Sequence, residues 1–424
     1  MASSRQILTL GDLGPIKTGK TPSTKVPEHF GGKIPFVTPR DMDGRKRIVG
    51  TERYLTEKGA RAVGSAVIPA GSIMVSCIGS DMGKVAIADR ECVTNQQINS
   101  IVVAEEYASE YVYYDLSQRK SELRSMASGS AQPILNKGHF SQVAIEIPDF
   151  PEQRAIAHIL GSLDDKIELN RRMNQTLEST TRAIFKSWFV DFDPVRAKSE
   201  GRPTGLPDDI AALFPDSFED SELGEIPKGW NPSTIGAEFN LTMGQSPPGK
   251  TYNETGNGLP FFQGCRDFGF RYPSNRVYCT APQRLADQGD TLVSVRAPVG
   301  DINMAMERCC VGRGIAGIRH KSGSRSYTYY AMHTLSDRFA RFEAEGTVFG
   351  AINKKQFERL RWLYFGENLV VEFEKIAFAI DEQIEKNTIE SETLTTLRDT
   401  LLPKLITGEL RIPDAEKFVE ETGV

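Results

Sequence analysis

The feature that most constrains this chain is that it is one unit written twice. Ser128-Gly-Ser-Ala-Gln-Pro-Ile-Leu-Asn-Lys-Gly-His-Phe140 lines up with Glu345-Gly-Thr-Val-Phe-Gly-Ala-Ile-Asn-Lys-Lys-Gln-Phe357, and 353 less 136 sets the offset at 217. The same offset pairs Gly83 with Gly300, Cys92 with Cys309, Gly129 with Gly346, Asp164 with Asp381, Ile167 with Ile384 and Asn170 with Asn387. Near the start of each unit the offset becomes 225: Thr18-Gly-Lys-Thr-Pro22 matches Met243-Gly-Gln-Ser-Pro247, and Ile34-Pro-Phe36 matches Leu259-Pro-Phe261. A longer loop in the first unit accounts for the change. A self-similar chain is expected to repeat one structural plan, and 424 residues agree with two or three domains.

Each unit has two parts. Residues 1–149 and 230–366 carry short apolar runs broken by Gly and Pro, such as Ser72-Ile-Met-Val-Ser76 and Asp290-Thr-Leu-Val-Ser-Val295, which read as strands and turns. Shorter helical stretches around 107–126 and 327–343 make these globular domains mixed α/β. Residues 150–192 and 367–412 read instead as long helices. Pro151 and Glu152 suit a helix start. Apolar positions then recur in steps of four and three: Ile156, Leu160, Leu163, Ile167, Asn170, Asn174, Leu177, Thr181, Ile184 and Trp188. The second copy runs Phe373, Ala377, Ile380, Ile384, Asn387, Ser391, Leu394, Arg398, Leu401 and Leu405. That spacing is a coiled-coil seam. Residues 193–229, rich in Pro, Gly and acids, read as a linker that returns the chain, so the two helices are expected to pair antiparallel. Asn170, Asn174, Asn387 and Ser391 then fall in a central polar layer that fixes register. Residues 413–424 form an acidic tail.

Net charge is −5, which does not advertise a nucleic-acid binder. Lys17, Lys20, Lys25, Lys33, Arg40, Arg45, Lys46 and Arg47 nevertheless crowd the first fifty residues, and local surface sets phosphate affinity. No apolar run suits a signal peptide or a membrane span, and the chain is read as cytoplasmic. The six cysteines include no Cys-x-x-Cys pair and read as reduced thiols.

Several ordered segments together resemble the specificity subunit of Type I restriction-modification systems. They are Gly129-Ser-Ala-Gln-Pro-Ile-Leu-Asn136, the Pro-Glu-Gln-Arg helix start at 151–154, Leu-Asp-Asp-Lys-Ile-Glu at 163–168, Leu223-Gly-Glu-Ile-Pro-Lys-Gly-Trp230 and Leu401-Leu-Pro-Lys-Leu-Ile-Thr-Gly-Glu-Leu410. The second helix departs from the pattern, opening with Asn368-Leu-Val-Val. The resemblance implies two target recognition domains related by the repeat, each reading one half of a bipartite, asymmetric site on double-stranded DNA. The two long helices would form an antiparallel coiled coil, acting as ruler and scaffold for two methyltransferase subunits, with motor-nuclease subunits completing the complex. From Pro151 to Trp188 a helix extends about 55 Å at roughly 1.5 Å per residue, enough to separate two readers by about one duplex turn.

Loops with polar donors beside basic groups are the candidate contacts. In the first unit these are Thr38, Arg40, Asp41, Ser80, Lys84, Gln96 and Gln97, with Lys137, Lys17, Lys20 and Thr21 toward phosphates. In the second they are Gln263, Arg266, Asp267, Arg296, Arg313, Asn353 and Lys354, with Gln245 and Ser246 matching Lys20 and Thr21. Asn136 and Asn353 have a second reading as turn caps.

Two apparent catalytic motifs fail on context. Gly14-Pro-Ile-Lys-Thr-Gly-Lys-Thr21 fits the phosphate-loop pattern, but Pro22 and Pro27 oppose the helix such a loop needs. Pro148-Asp149 with Asp164-Asp165-Lys166 mimics a nuclease, but the second group lies on a helix flank among what read as ordinary surface charges. The expectation is a non-catalytic chain with no cofactor and no metal. The competing readings are a coiled-coil adaptor without DNA binding and a metal-dependent nuclease. Trp188 and Phe189 read as core at the helix end, with a partner surface as the alternative.

Overall fold

The computed structural model describes residues 5–127, 133–345 and 350–421. It divides into two compact units, Met1–Asn170 with Thr388–Val424, and Arg171–Asn387. Each unit holds one globular domain and a stretch of both long helices, Phe150–Phe189 and Glu367–Thr407.

The repeat survives element by element. The 217 offset carries strand Cys92–Thr94 onto Cys309–Val311, helix Lys137–Ser141 onto Lys354–Glu358, and strand Ala144–Ile147 onto Arg361–Tyr364. It also carries the first residue of the first long helix, Phe150, onto the first of the second, Glu367. The missing Pro-Glu-Gln start therefore shifts nothing. The 225 offset carries Gln6–Thr9 onto Asn231–Thr234.

Both domains hold two larger sheets: in the first domain each contains one parallel pair, whereas in the second one sheet is wholly antiparallel and the other mixed. In the first unit, Ile98–Ile101 pairs antiparallel with Ile16–Thr18 and Ile73–Ser76, while Phe30–Val37 pairs parallel with Cys92–Thr94 in the other sheet. In the second, Ile315–His320 pairs with Phe239–Met243 and Thr291–Val295, and Leu259–Phe262 lies parallel to Cys309–Val311. The central strands are buried on both faces, which explains their unbroken apolar runs.

Within the first unit the helices run antiparallel: Asp164 pairs with Arg398 at 2.7 Å, Lys166 with Glu390 at 3.3 Å, and Asn170 Nδ2 donates to Glu390 at 2.6 Å. In the second unit Asn387 donates to Asn174 at 2.8 Å, and Phe185 meets Phe373 edge-on. Every predicted seam position is buried or half-buried. Both Asn sites are buried and hydrogen-bonded, as interior amides must be. Each domain's first tyrosine-rich helix is also capped from a long helix. Gln153 Oε1 accepts from Ala108 N, and the Glu374 carboxylate accepts from the backbone N–H groups of Arg325, Ser326 and Tyr327.

Three expectations need amendment. Residues 193–229 are not a bare linker: helices Asp193–Ser199 and Asp208–Ala211 and a hairpin, Phe218–Ser221 with Gly224–Pro227, fold onto the second unit. Val195, Phe214, Ile226 and Trp230 join Trp188 and Phe189 in its core, so the aromatic pair is core. The acidic tail forms helix Ile412–Glu421, whose Ala415 and Val419 are buried in the first unit. Asp164 is not an ordinary surface charge, since Tyr114 donates to it at 2.6 Å and Arg398 covers it. Among the described residues, no helix is long and apolar enough to cross a membrane.

The second unit is also braced by a buried charge cluster. Arg271 is 1% exposed. It donates to Tyr330 at 2.7 Å and to Asp381, approaches Glu178 at 3.7 Å and lies over the Tyr329 ring. Removing the cation leaves the buried Asp381 carboxylate with only the Tyr330 hydroxyl, while Glu178 keeps Arg182 at 2.7 Å. Arg271→Met is expected to destabilise the chain by about 3–5 kcal/mol in denaturant melts. Replacing Arg271, Glu178 and Asp381 together by apolar residues should recover most of that loss.

Candidate nucleic-acid interface

In each domain the strand-end loops are gathered by the same set of main-chain hydrogen bonds. In the first unit these run from Gly19 N to Ile98 O, Lys20 N to Thr94 O, Asn95 N to Val37 O, Ile98 N to Asn95 O, Gly79 N to Pro133 O and Leu135 N to Cys77 O. In the second they run from Gly244 N to Ile315 O, Gln245 N to Val311 O, Gly312 N to Phe262 O, Ile315 N to Gly312 O, Ala297 N to Gly350 O and Ile352 N to Val295 O. Along this strand the offset is 218, since Ile73–Ser76 and Thr291–Ser294 pair with equivalent residues of the neighbouring strand, and this makes Val295 the partner of Cys77.

The glycine of the repeated Gly-Lys-Thr/Gly-Gln-Ser motif is required by close approach. A Cβ on Gly19 would lie 2.0 Å from Asn95 O, and one on Gly244 would lie 2.1 Å from Gly312 O. This accounts for the phosphate-loop pattern: Ile16–Thr18 is a strand and the residues after Gly19 form no α-helix. The motif is a backbone clasp.

The structure brings most of the sequence-selected residues to these loops, in two groups. Some hold the loops. Lys17 Nζ donates to Val67 O at 2.7 Å; Thr38 donates through N and Oγ1 to Asp41, which also accepts from Glu52 N. Lys84 donates to Pro39 O and pairs with Asp81, and Gln97 accepts from Asn95. In the second unit Asp267 pairs with Arg276 at 2.8 Å, and Gln263 accepts from Ser246 at 2.9 Å. Asn136 and Asn353 cap the short helices that follow them, Asn353 within a reciprocal capping box with Gln356. Lys354 sits beside Glu358 on its helix at 3.6 Å. The others present exposed side chains: Lys20, Arg40, Ser80, Gln96 and Lys137 in the first unit, and Gln245, Arg266, Arg296 and Arg313 in the second. Thr21, also exposed, donates its hydroxyl to Gln96 Oε1 at 2.6 Å. The motif residues 128–132 and 346–349 lie outside the described residues.

Burial pushes Cys77 and Cys265 up to about 11, which leaves both protonated at neutral pH. Sequence reading missed the Arg271 cluster and the caps from Gln153 and Glu374. Gln96 and Arg313 occupy one position of the repeat, related by the 217 offset.

Comparison with known proteins points the same way. Residues 4–179 match the family described as Type I restriction modification DNA specificity domain. A Methanocaldococcus jannaschii protein named for the specificity subunit of type I restriction enzyme MjaX is 31% identical over 285 residues. That alignment covers 66% of this chain and 62% of the relative, so the chain spans less than two thirds of it. The MjaIX specificity subunit of the same organism is 25% identical over 422 residues, 95% of this chain and 93% of its own length. A crystal structure of a Type I restriction-modification S subunit from M. genitalium shares the fold, with a TM-score of 0.59 at 17% identity over 95% of this chain and 96% of that one.

Gly244→Ala drives a methyl group into a backbone oxygen that has no room to withdraw. It is expected to destabilise the chain by about 1–3 kcal/mol, with faster hydrogen exchange at Gly312 and Ile315 while the Thr291–Val295 strand stays protected. Uniform exchange rates across the variant would refute a local clasp.

Proposed function

Since the chain belongs to the family of Type I restriction-modification specificity subunits, we propose that it supplies the DNA sequence specificity of such a complex and performs no chemistry itself. The domains at 1–149 and 230–366 each read one half of a bipartite site. Because their loop side chains differ, the two halves differ and the site is asymmetric. The helices at 150–192 and 367–412 serve as spacer and as scaffold for two methyltransferase subunits, with motor-nuclease subunits joining for restriction.

The observation that carries this reading is the duplicated loop cluster. Identical backbone clasps hold two sets of exposed polar and basic side chains, and the sets are chemically different. A scaffold that is constant beneath variable side chains suits a reader of varied sequence. The partly buried Asp164, already paired with Tyr114 and Arg398, is a poor metal ligand, which speaks against a nuclease.

The direct check compares the adenine methylation of source cells with and without this gene. A bipartite asymmetric motif that vanishes on deletion is the expected result. An unchanged methylome, with the partner methyltransferase expressed, would leave the adaptor reading in its place. Duplex binding by the assembled complex should also weaken steeply with added salt.

A further inference from the structure

We propose that Gln96 and Arg313 are equivalent base-reading positions, Gln96 selecting adenine in one half-site and Arg313 selecting guanine in the other. This rests on the DNA-reading function above and goes beyond it by assigning a base to each domain.

The two residues sit at the tip of the same turn. It crosses from one sheet of the domain to the other, between Cys92–Thr94 and Ile98–Ile101 in the first unit and between Cys309–Val311 and Ile315–His320 in the second. Both turns close with an i to i+3 bond, Ile98 N to Asn95 O at 3.1 Å and Ile315 N to Gly312 O at 3.0 Å, and both are pinned at their first residue to the neighbouring parallel strand. The flanking Asn95 and Gly312 are buried, whereas Gln96 and Arg313 are exposed. The backbone is therefore fixed while the tip side chain faces outward.

A hydroxyl from the glycine clasp steadies each tip, and the repeat supplies it from equivalent residues, Thr21 and Ser246. Thr21 Oγ1 donates to Gln96 Oε1 at 2.6 Å, which orients the amide yet leaves it one acceptor site and both N–H donors. Ser246 Oγ accepts from Arg313 N at 3.3 Å and donates to Gln263, anchoring the arginine at its root. Arg276 and Arg319 of the same domain are instead held by carboxylates, Asp267 and Asp290.

The chemistry of the two tips differs in a way that base edges distinguish. An amide offers a donor beside an acceptor, matching adenine N7 and N6. A guanidinium offers two parallel donors, matching guanine N7 and O6.

The test uses the full complex with its methyltransferase subunits and reads the methylated motif, or the duplexes selected from a random pool, for wild type, Gln96→Arg, Arg313→Gln and Arg313→Lys. Gln96→Arg should convert adenine to guanine at one position of one half-site, and Arg313→Gln the reverse in the other half-site. Base preference at that position should change roughly 5- to 150-fold while every other position stays as it was. Arg313→Lys keeps the charge but loses the fork, so it should relax guanine selection with the salt dependence of binding unchanged. Variants that keep the wild-type base preference overturn the proposal. So do variants that weaken all sequences evenly and lower the salt slope by about one, since that marks a phosphate contact. A wild-type complex with no sequence-dependent motif would instead sink the function itself.

Discussion

The bond from Asn95 N to Val37 O, and its copy from Gly312 N to Phe262 O, fix where the turns bearing Gln96 and Arg313 begin, and the rest of each loop cluster builds on them. Both partners are main-chain atoms, so the bond makes no demand on side-chain identity. The glycine clasp adds two more such bonds and requires only that nothing project from Gly19 or Gly244. A tip residue can then change from glutamine to arginine without disturbing its support. Under the proposed function, specificity and stability would thus be separated at the level of atoms: the backbone supplies stability and the side chain specificity.

The helices divide their work differently. Their apolar seam is periodic and duplicated, but their ion pairs are not. Asp164 and Asp381 are equivalent in the repeat, and each accepts from a tyrosine, Tyr114 or Tyr330. The cation differs in origin. Asp164 takes Arg398 from the opposite helix, whereas Asp381 takes Arg271 from the globular domain. The 225 offset relates Arg271 to Lys46, which pairs instead with the exposed Asp165. The second domain is therefore locked to its helices through a desolvated cluster and the first through more exposed pairs, which are worth less.

Much of this was legible in the sequence because it is periodic. The four-three spacing gave the seam, and offset arithmetic gave the duplicated domain. What escaped was carried by sparse anchors or distant contacts. Val195, Phe214, Ile226 and Trp230 are too widely spaced among Pro, Gly and acids to announce a folded segment. Ala415 and Val419, four apart, mark one narrow helical stripe within an acidic stretch. Arg271 reaches Asp381 across more than a hundred residues, and no local pattern signals such a contact. Candidate loop residues were identifiable by type, yet only hydrogen-bond geometry separates Lys17 and Lys84, which hold loops, from Lys20 and Arg40, which face outward.

That separation bears on a chain with a net charge of −5. The sequence-independent part of DNA affinity grows with the number of phosphates neutralised. Among the candidate loop residues, Lys20, Arg40 and Lys137 are the exposed cations of the first unit, and Arg266, Arg296, Arg313 and Lys354 those of the second, Lys354 beside Glu358. Exposed Lys25 and Lys33 add to this set in the first unit, so its positive surface is local rather than general. Under the proposed function, strong non-specific attraction would work against selectivity, because every phosphate contact holds wrong sequences as firmly as right ones. On that reading, base-edge contacts rather than phosphate contacts would decide between sites.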